Sequence, residues 1–185
     1  AGQALEAQGR LLNELVGILS GSLVSDVLQS VVQAAMRLAG AEQGFIMLLG
    51  QSGHVEFAAA HSLHGGPVRG PADEVSRNVV SHVLEGGEAV MLADARTAEP
   101  FADAESVTRL RLRSILAVPI RDGERVVGAL YLENRKVSGI FDEPKRALVE
   151  SFARHIAAAL RNAQAVAELR RSREQLANVL VKKYP

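Results

Sequence analysis

The stretch Ser114–Arg135 constrains the fold of this chain more than any other part of its sequence. Two runs rich in valine, isoleucine and leucine, Ile115–Ile120 and Val126–Leu132, flank the polar segment Arg121–Glu124, which contains an Asp-Gly pair. Short β-branched runs on either side of such a pair predict a β-hairpin. Neither run alternates between apolar and polar residues, so we expect both faces of these strands to be covered. The sequence therefore predicts a sheet that lies between two layers of helices.

The remaining apolar segments predict an α+β fold with a central antiparallel sheet of five to six strands and a long C-terminal helix. Helices over 24–39 and 142–165 are expected to cover one face of the sheet, and the segments 73–86 and 105–112 the other. The strands are predicted at about 44–50, 53–61, 89–94, 114–121 and 125–134.

Motifs along the second half of the chain carry a resemblance to a known family. The segment from Leu112 to Ala163 resembles the C-terminal half of a GAF domain, a small-molecule sensor and dimerisation module of signalling proteins. The matching positions are Arg113, Ser114, Val118, Pro119, Gly128, Leu130, Leu132, Phe141 and the run Ala159–Ala163. Upstream, Ala39–Leu49 resembles the first helix-to-strand junction of the family, so the resemblance covers about residues 23–163.

The resemblance also implies a place in a larger protein. Leu110–Ser114, the run GALYLENR and the later RRSREQL resemble GAF domains ahead of the ATPase of enhancer-binding transcriptional activators. Similar segments precede histidine kinases and nucleotide cyclases. We expect an N-terminal dimerisation helix over 1–22, a GAF domain over 23–165, and a coiled-coil linker over 166–185 that leads to an output domain in cis.

Composition excludes several classes of function. The chain has 21 basic and 21 acidic residues and only 4% aromatic residues, so no direct contact with nucleic acid is expected. No apolar run approaches the roughly 20 residues that span a bilayer, and a cytoplasmic location without membrane contact is expected. The chain contains no cysteine. Within the family, that rules out thioether attachment of a bilin and disfavours the sulfoxide-reducing enzymes, and it leaves the cofactor unknown.

The sequence shows no catalytic constellation, and we expect the protein not to be an enzyme. It contains neither a nucleophile elbow nor a Walker-type phosphate loop. His61 and His64 form a close histidine pair, but their spacing matches no standard metal motif, so no metal site is expected. Asn134-Arg135 and Phe141-Asp142-Glu143 depart in spacing and residue type from the signature of cyclic-nucleotide-binding relatives.

A sensor domain orients its ligand with polar groups that face an apolar cleft. The candidate ligand-binding residues are His61, Arg77, His82, Ser114 and Tyr131. Each also has a structural interpretation, as a residue of a solvated face, a turn or the core. Any ligand is expected between the central hairpin and the segment 62–112, where Arg77 and His82 would favour an anionic or hydrogen-bonding compound.

Apolar stripes at helical spacing predict a parallel homodimer. One stripe lies in Leu5–Leu19, and another follows Phe152 with a spacing of three and four residues. The candidate dimerisation residues are Leu12, Leu15, Leu19, Phe152, Ala159, Val166, Leu169 and Leu176. Two interpretations of the function remain open: a domain that senses a small molecule and signals through its C-terminal helix, and a ligand-free spacer that only dimerises.

Overall fold

The computed structural model describes residues 23–50, 53–64, 68, 70–101 and 105–183. The predicted N-terminal helix, with Leu12, Leu15 and Leu19, lies outside these residues. In chain order the elements are α1 (Leu23–Ala39), β1 (Gln43–Leu49), β2 (Val55–Ser62), a 3₁₀ turn (Pro71–Asp73), α2 (Arg77–Gly86), β3 (Val90–Leu92), α3 (Glu105–Leu110), β4 (Ser114–Asp122), β5 (Arg125–Asn134) and α4 (Glu143–Lys183).

The described strands form one antiparallel sheet in the order β2-β1-β5-β4-β3. The central hairpin pairs Ser114 with Asn134 at its open end and Asp122 with Arg125 at its turn. Gly123 has a φ of 60°, as a two-residue hairpin loop requires at its first central position. The predicted α+β fold, with its five-stranded sheet, is confirmed.

Helices pack on both faces of the sheet. On one face α1 and α4 bury a core that includes Leu28, Val32 and Met36 of α1. On the other face α2 and α3 bury a second core, to which β1 and β5 contribute Phe45 and Tyr131. This double coverage explains why β4 and β5 are apolar without alternation.

The segment 73–86, predicted as one helix, is divided in the structure. Pro71–Asp73 form a 3₁₀ turn, and Ser76 has an extended backbone, with φ −75° and ψ 107°, as the N-cap of α2. The helix therefore begins at Arg77, and its predicted start at residue 73 was wrong. Val75 reaches the core from the turn that precedes the helix.

The last helix extends far beyond the sheet. The Asp142 side chain accepts a hydrogen bond from the backbone N–H of Lys145 at 2.9 Å, which caps the first turn of α4. Its fully packed positions end at Leu160, while the helix runs without interruption to Lys183. The C-terminal half of α4 therefore projects away from the domain.

Candidate functional site

An apolar cleft of about 270 Å³ lies between the β1–β2 hairpin and the segment 71–81. The residues that line it are Met47, Val55, Phe57, Ala72, Val75, Arg77, Val80 and Ser81. Met47, Val75 and Val80 are buried. A mostly apolar lining with a few polar groups is typical of a small-molecule site. The wall from 71–81 belongs to the expected segment, but the cleft opens against β1 and β2 and not against the central hairpin.

Two polar side chains stand on the exposed rim of the cleft, both from α2. Arg77 has a side chain that is 76% exposed, and its Nη2 lies 3.8 Å from Oδ1 of Asp73. An exposed pair of this kind contributes little, about 0.3–0.5 kcal/mol, so the guanidinium can exchange Asp73 for another anion. Ser81 adds a hydroxyl one helical turn further along.

His82 lies on α2 but not in the lining of the cleft. It is exposed, and its ring stands edge-on to Phe101 with centroids 5.5 Å apart. Both predicted residues lie on α2, but only Arg77 lines the cleft.

Ser114 and Tyr131 are fully buried, and both hydroxyls bond within the fold. The Ser114 hydroxyl lies within hydrogen-bond distance of two carbonyls, those of Ala93 at 3.1 Å and Val137 at 3.0 Å. The Tyr131 hydroxyl accepts a hydrogen bond from the backbone N–H of Ser76 at 3.3 Å. Neither side chain lines the cleft, and both join separate segments of the domain.

His61 lies on the opposite face of the sheet from the cleft. Its Nδ1 is 3.4 Å from Nε2 of Gln33 on α1. The register between β1 and β2 shifts between Ile46 and Met47, where a bulge adds a residue to β2. Because a bulge inverts the alternation of the side chains that follow it, His61 faces α1 while Phe57 faces the cleft.

Glu133 is a buried polar group on the same face of the sheet as the cleft, and it was not among the residues predicted from the sequence. It is fully buried, two residues after Tyr131 and therefore on the same face of β5. Its Oε1 accepts a hydrogen bond from Nε of Arg135 at 2.8 Å. Burial raises the pKa of the Glu133 carboxyl from 4.5 to about 7, although Arg135 and the Tyr131 hydroxyl act in the opposite direction.

Glu133 belongs to a network that ties the segment before α2 to the sheet. Nη2 of Arg135 donates to Oε2 of Glu74 at 2.6 Å, next to the bond between Ser76 and Tyr131. The signal available in the sequence was a glutamate at the end of an otherwise apolar strand, with an arginine two residues later. The other members of the network, Glu74 and Ser76, are distant in sequence, so this signal did not identify the network.

Two buried oxygen atoms in this region have no hydrogen-bond partner in the described part of the chain. They are Oε2 of Glu133 and Oε1 of Gln43. Gln43 lies directly opposite Glu133 in the β1–β5 register. Buried polar atoms are normally paired, so two unpaired acceptors on directly opposite residues require an explanation.

A larger cleft, of about 670 Å³, lies between α4 and the edge of the sheet near β3. Two of the three arginines that line it, Arg121 and Arg146, already bond within the domain. Arg121 donates to the carbonyls of Gly87 and Glu124, and Arg146 pairs with Glu150 at 3.0 Å. We therefore regard the smaller apolar cleft as the candidate site.

The predicted dimerisation residues of α4 fall into two groups. Phe152 is partly buried and forms a shallow groove with α1, together with Val27, Val31 and Ala34. Ala159 is partly exposed. Further along, apolar side chains are exposed, at 50% for Val166, 72% for Leu169 and 65% for Leu176. Exposed large apolar side chains at regular spacing are typical of a surface that another chain covers.

Within the described ranges, no three histidine, aspartate or glutamate side chains are grouped so that they could hold a metal ion. Over the same residues, none of the helices combines the length and the hydropathy that crossing a bilayer requires.

Comparison with known proteins identifies the family. Residues 22–161 match the family model described as the GAF domain. No protein with a curated function matches the sequence significantly.

Three similar solved structures illustrate the likeness. The GAF3 domain of a Synechocystis sp. PCC6803 protein, in its photoproduct state, is 16% identical, with 79% of this chain and 98% of that chain covered and a TM-score of 0.65. A domain assigned to a two-component sensor histidine kinase of Sinorhizobium meliloti 1021 is 14% identical, with 81% and 99% covered and a TM-score of 0.59. The GAF domain of an Acinetobacter phosphoenolpyruvate-protein phosphotransferase is 22% identical, with 86% and 96% covered and a TM-score of 0.60.

At these identities the structural likeness establishes the fold, and the family match extends over most of the chain. The five-stranded antiparallel sheet between two helical layers agrees with both. The chain belongs to the GAF domain family.

Proposed function

We propose that this chain is the regulatory domain of a bacterial signalling protein, in which it binds a small molecule, forms a homodimer and does not act as an enzyme. The observation that carries the proposal is the apolar cleft over β1 and β2, with Arg77 and Ser81 on its rim. The cleft favours a compound with an apolar body and one anionic or hydrogen-bonding group.

The route from the cleft to an output domain passes through the sheet. Met47 of the cleft pairs with Ala129 of β5, and Leu130 of the same strand packs in the core beneath α4. A ligand biases α4 only if it binds two arrangements of the domain with different affinity. Since α4 is continuous from the sheet to Lys183, a change at the sheet reaches the exposed stripe of Val166, Leu169 and Leu176.

This role is consistent with an output domain in cis, either the ATPase of a transcriptional activator or a histidine kinase. One structural neighbour is a domain assigned to a sensor histidine kinase. Outputs of both kinds act in the cytoplasm, so the proposal includes a cytoplasmic location.

The test is a metabolite screen by thermal shift, followed by a variant that blocks the cleft. A ligand at a hundred times its dissociation constant stabilises the fold by about 2.7 kcal/mol. Ser81→Trp fills the rim and should abolish that shift. Asn78→Trp, at another exposed position of the same helix, is the control and should preserve it. If a hit stabilises both variants equally, its site is elsewhere.

The second candidate function is a ligand-free dimerisation spacer. The observation in its favour is the size of the cleft, about 270 Å³, which is slightly below the roughly 300–1,000 Å³ of ligand pockets. A screen without hits, together with normal output from Ser81→Trp in the full-length protein, would favour the spacer.

A further inference from the structure

The two unpaired buried oxygens, Oε1 of Gln43 and Oε2 of Glu133, belong to residues that are paired directly across β1 and β5. Directly opposite side chains on one face have Cβ atoms about 4.5–5.5 Å apart. With an ionised carboxyl, both atoms are acceptors and neither can satisfy the other. One proton on Glu133 would turn its free oxygen into a donor, and a bond from it to Oε1 of Gln43 would satisfy both atoms.

We propose that Glu133 is a proton-binding site whose proton is shared with Gln43 and keeps residues 70–76, the cover segment, closed over the cleft. When Glu133 loses this proton, a buried carboxylate remains that Arg135 and the Tyr131 hydroxyl stabilise only in part, because burial still raises its pKa. Water relieves that charge most readily if the cover segment lifts.

The cover segment is coupled to Glu133 by contacts at its C-terminal end. Arg135 bonds to Glu133 with Nε at 2.8 Å and to Glu74 with Nη2 at 2.6 Å. The backbone N–H of Ser76 donates to Tyr131 at 3.3 Å. Ala72 of the same segment lines the cleft, so lifting the segment changes the candidate ligand site.

The surroundings of Glu133 determine the direction of the switch. Burial raises its pKa to about 7, Arg135 and the Tyr131 hydroxyl lower it, and the negative charge of Glu74 raises it. From β4 the residue opposite Glu133 is Ile115, which carries no charge.

The neighbouring Glu42 is engaged with other groups. Its carboxylate accepts from the backbone N–H of Arg135 at 2.8 Å and lies 2.9 Å from Lys136 Nζ and 3.4 Å from His64.

The sign of the pH dependence follows from the raised pKa. A carboxyl whose pKa is about 7 when covered and 4.5 when hydrated favours the closed state at low pH, and it loses that preference as the pH rises towards 7. Between pH 6 and pH 8 these two values give an increase of about tenfold in the equilibrium constant for opening. The consequence for ligand affinity rests on the proposed function, whereas the proton site itself does not.

Two measurements on the ligand-free protein test the inference. The ¹³C shift of the Glu133 carboxyl, followed by NMR, should titrate with a midpoint near 7. Hydrogen exchange of the Ser76 amide, corrected for its intrinsic rate, should lose about tenfold in protection from pH 6 to pH 8. Amides in the centre of β4, corrected in the same way, should keep the same protection at both pH values.

Glu133→Gln keeps the shape and places a permanent donor opposite Gln43, so its Ser76 protection should be independent of pH. Glu85→Gln, which removes an exposed glutamate of α2, is the charge-matched control and should behave as the wild type. A carboxyl that titrates below pH 5 overturns the inference, because a rotated Gln43 amide would then donate to an ionised Glu133. Ser76 protection that does not change in the wild type also overturns it, and the NMR titration remains decisive if Glu133→Gln does not fold. Neither measurement involves a ligand, so a failed ligand screen would overturn the proposed function alone.

Discussion

Gly128 offers the sharpest test of the packing between the central strands. It lies in β5 between β1 and β4, where it pairs with Leu48 and with Ile120. A Cβ added there would stand 2.2 Å from the backbone oxygen of Met47 and 3.2 Å from the Cα of Leu48. These are backbone atoms of a buried strand, so no side-chain rotation relieves the contact. Gly128→Ala must therefore push β1 and β5 apart.

The magnitude follows from what this separation disrupts. Overpacking of a dense core costs about 1–3 kcal/mol, and each weakened backbone hydrogen bond adds about 1 kcal/mol. With two ladder bonds affected, we expect Gly128→Ala to lower the free energy of unfolding by about 3–5 kcal/mol. That is a large part of the roughly 5–15 kcal/mol that stabilises a typical domain.

Two further glycine-to-alanine variants provide matched controls. At Gly44 the added Cβ meets only side chains, Met36 at 2.7 Å and Val32 at 2.8 Å, so we expect a smaller loss of about 1–3 kcal/mol. At Gly86, on α2, it meets nothing within 4 Å, and alanine should add up to about 1 kcal/mol of helix stability.

The assay is urea denaturation followed by circular dichroism, at one fixed protein concentration because the proposed dimerisation would contribute to the apparent stability. The expected order of stability is Gly86→Ala above wild type, then Gly44→Ala, then Gly128→Ala. The argument from backbone contact is refuted if the free energy of unfolding of Gly128→Ala lies within about 1 kcal/mol of the wild-type value. It is also refuted if Gly128→Ala unfolds at a higher urea concentration than Gly44→Ala.

Three other variants test the roles assigned above. Val166→Glu combined with Leu169→Glu should convert the proposed dimer to a monomer in analytical ultracentrifugation while the circular dichroism of the sheet is unchanged, and a variant that stays dimeric would remove α4 from the interface. Ser114→Ala should lower the free energy of unfolding by about 1–3 kcal/mol, because the carbonyls of Ala93 and Val137 lose the one hydroxyl proton that they share and, among the described residues, only Ala93 keeps another donor, the Gly139 N–H. It should leave binding of any ligand found in the screen unchanged. Tyr131→Phe should cost about 1 kcal/mol and raise hydrogen exchange at the N-terminus of α2, and unchanged exchange there would argue against its bond to the cover segment.

Local sequence chemistry was sufficient to place the central hairpin. The strands predicted at 114–121 and 125–134 were found at Ser114–Asp122 and Arg125–Asn134. A β-branched run and a glycine that accepts a positive φ act over a few residues, so their effect can be read from adjacent letters. The glycine of the family motif, Gly128, was also visible in the sequence, but the carbonyl of Met47 that excludes a side chain there was not.

The candidate site was harder to predict because strand register and bulges decide which residues meet. His61 and Phe57 are four residues apart on β2 and would share a face in a regular strand. The bulge places them on opposite faces, and its position depends on how β2 pairs with β1. Arg77 was identified from the sequence and does line the cleft, whereas Ser114 and Tyr131 serve the interior.

The sequence by itself determined the class of fold, the two-sided burial of the sheet and the absence of thiol chemistry, because these depend on composition and on periodicity within single segments. Only the tertiary structure decided what surrounds Glu133. Gln43 and Glu133 are 90 positions apart in the chain, and they become neighbours because β1 pairs with β5 in one register. A register shifted by one residue would turn every following side chain of β1 to the other face. The raised pKa of Glu133 and its unpaired partner therefore belong to the pairing of two distant strands, which no local pattern in the sequence records.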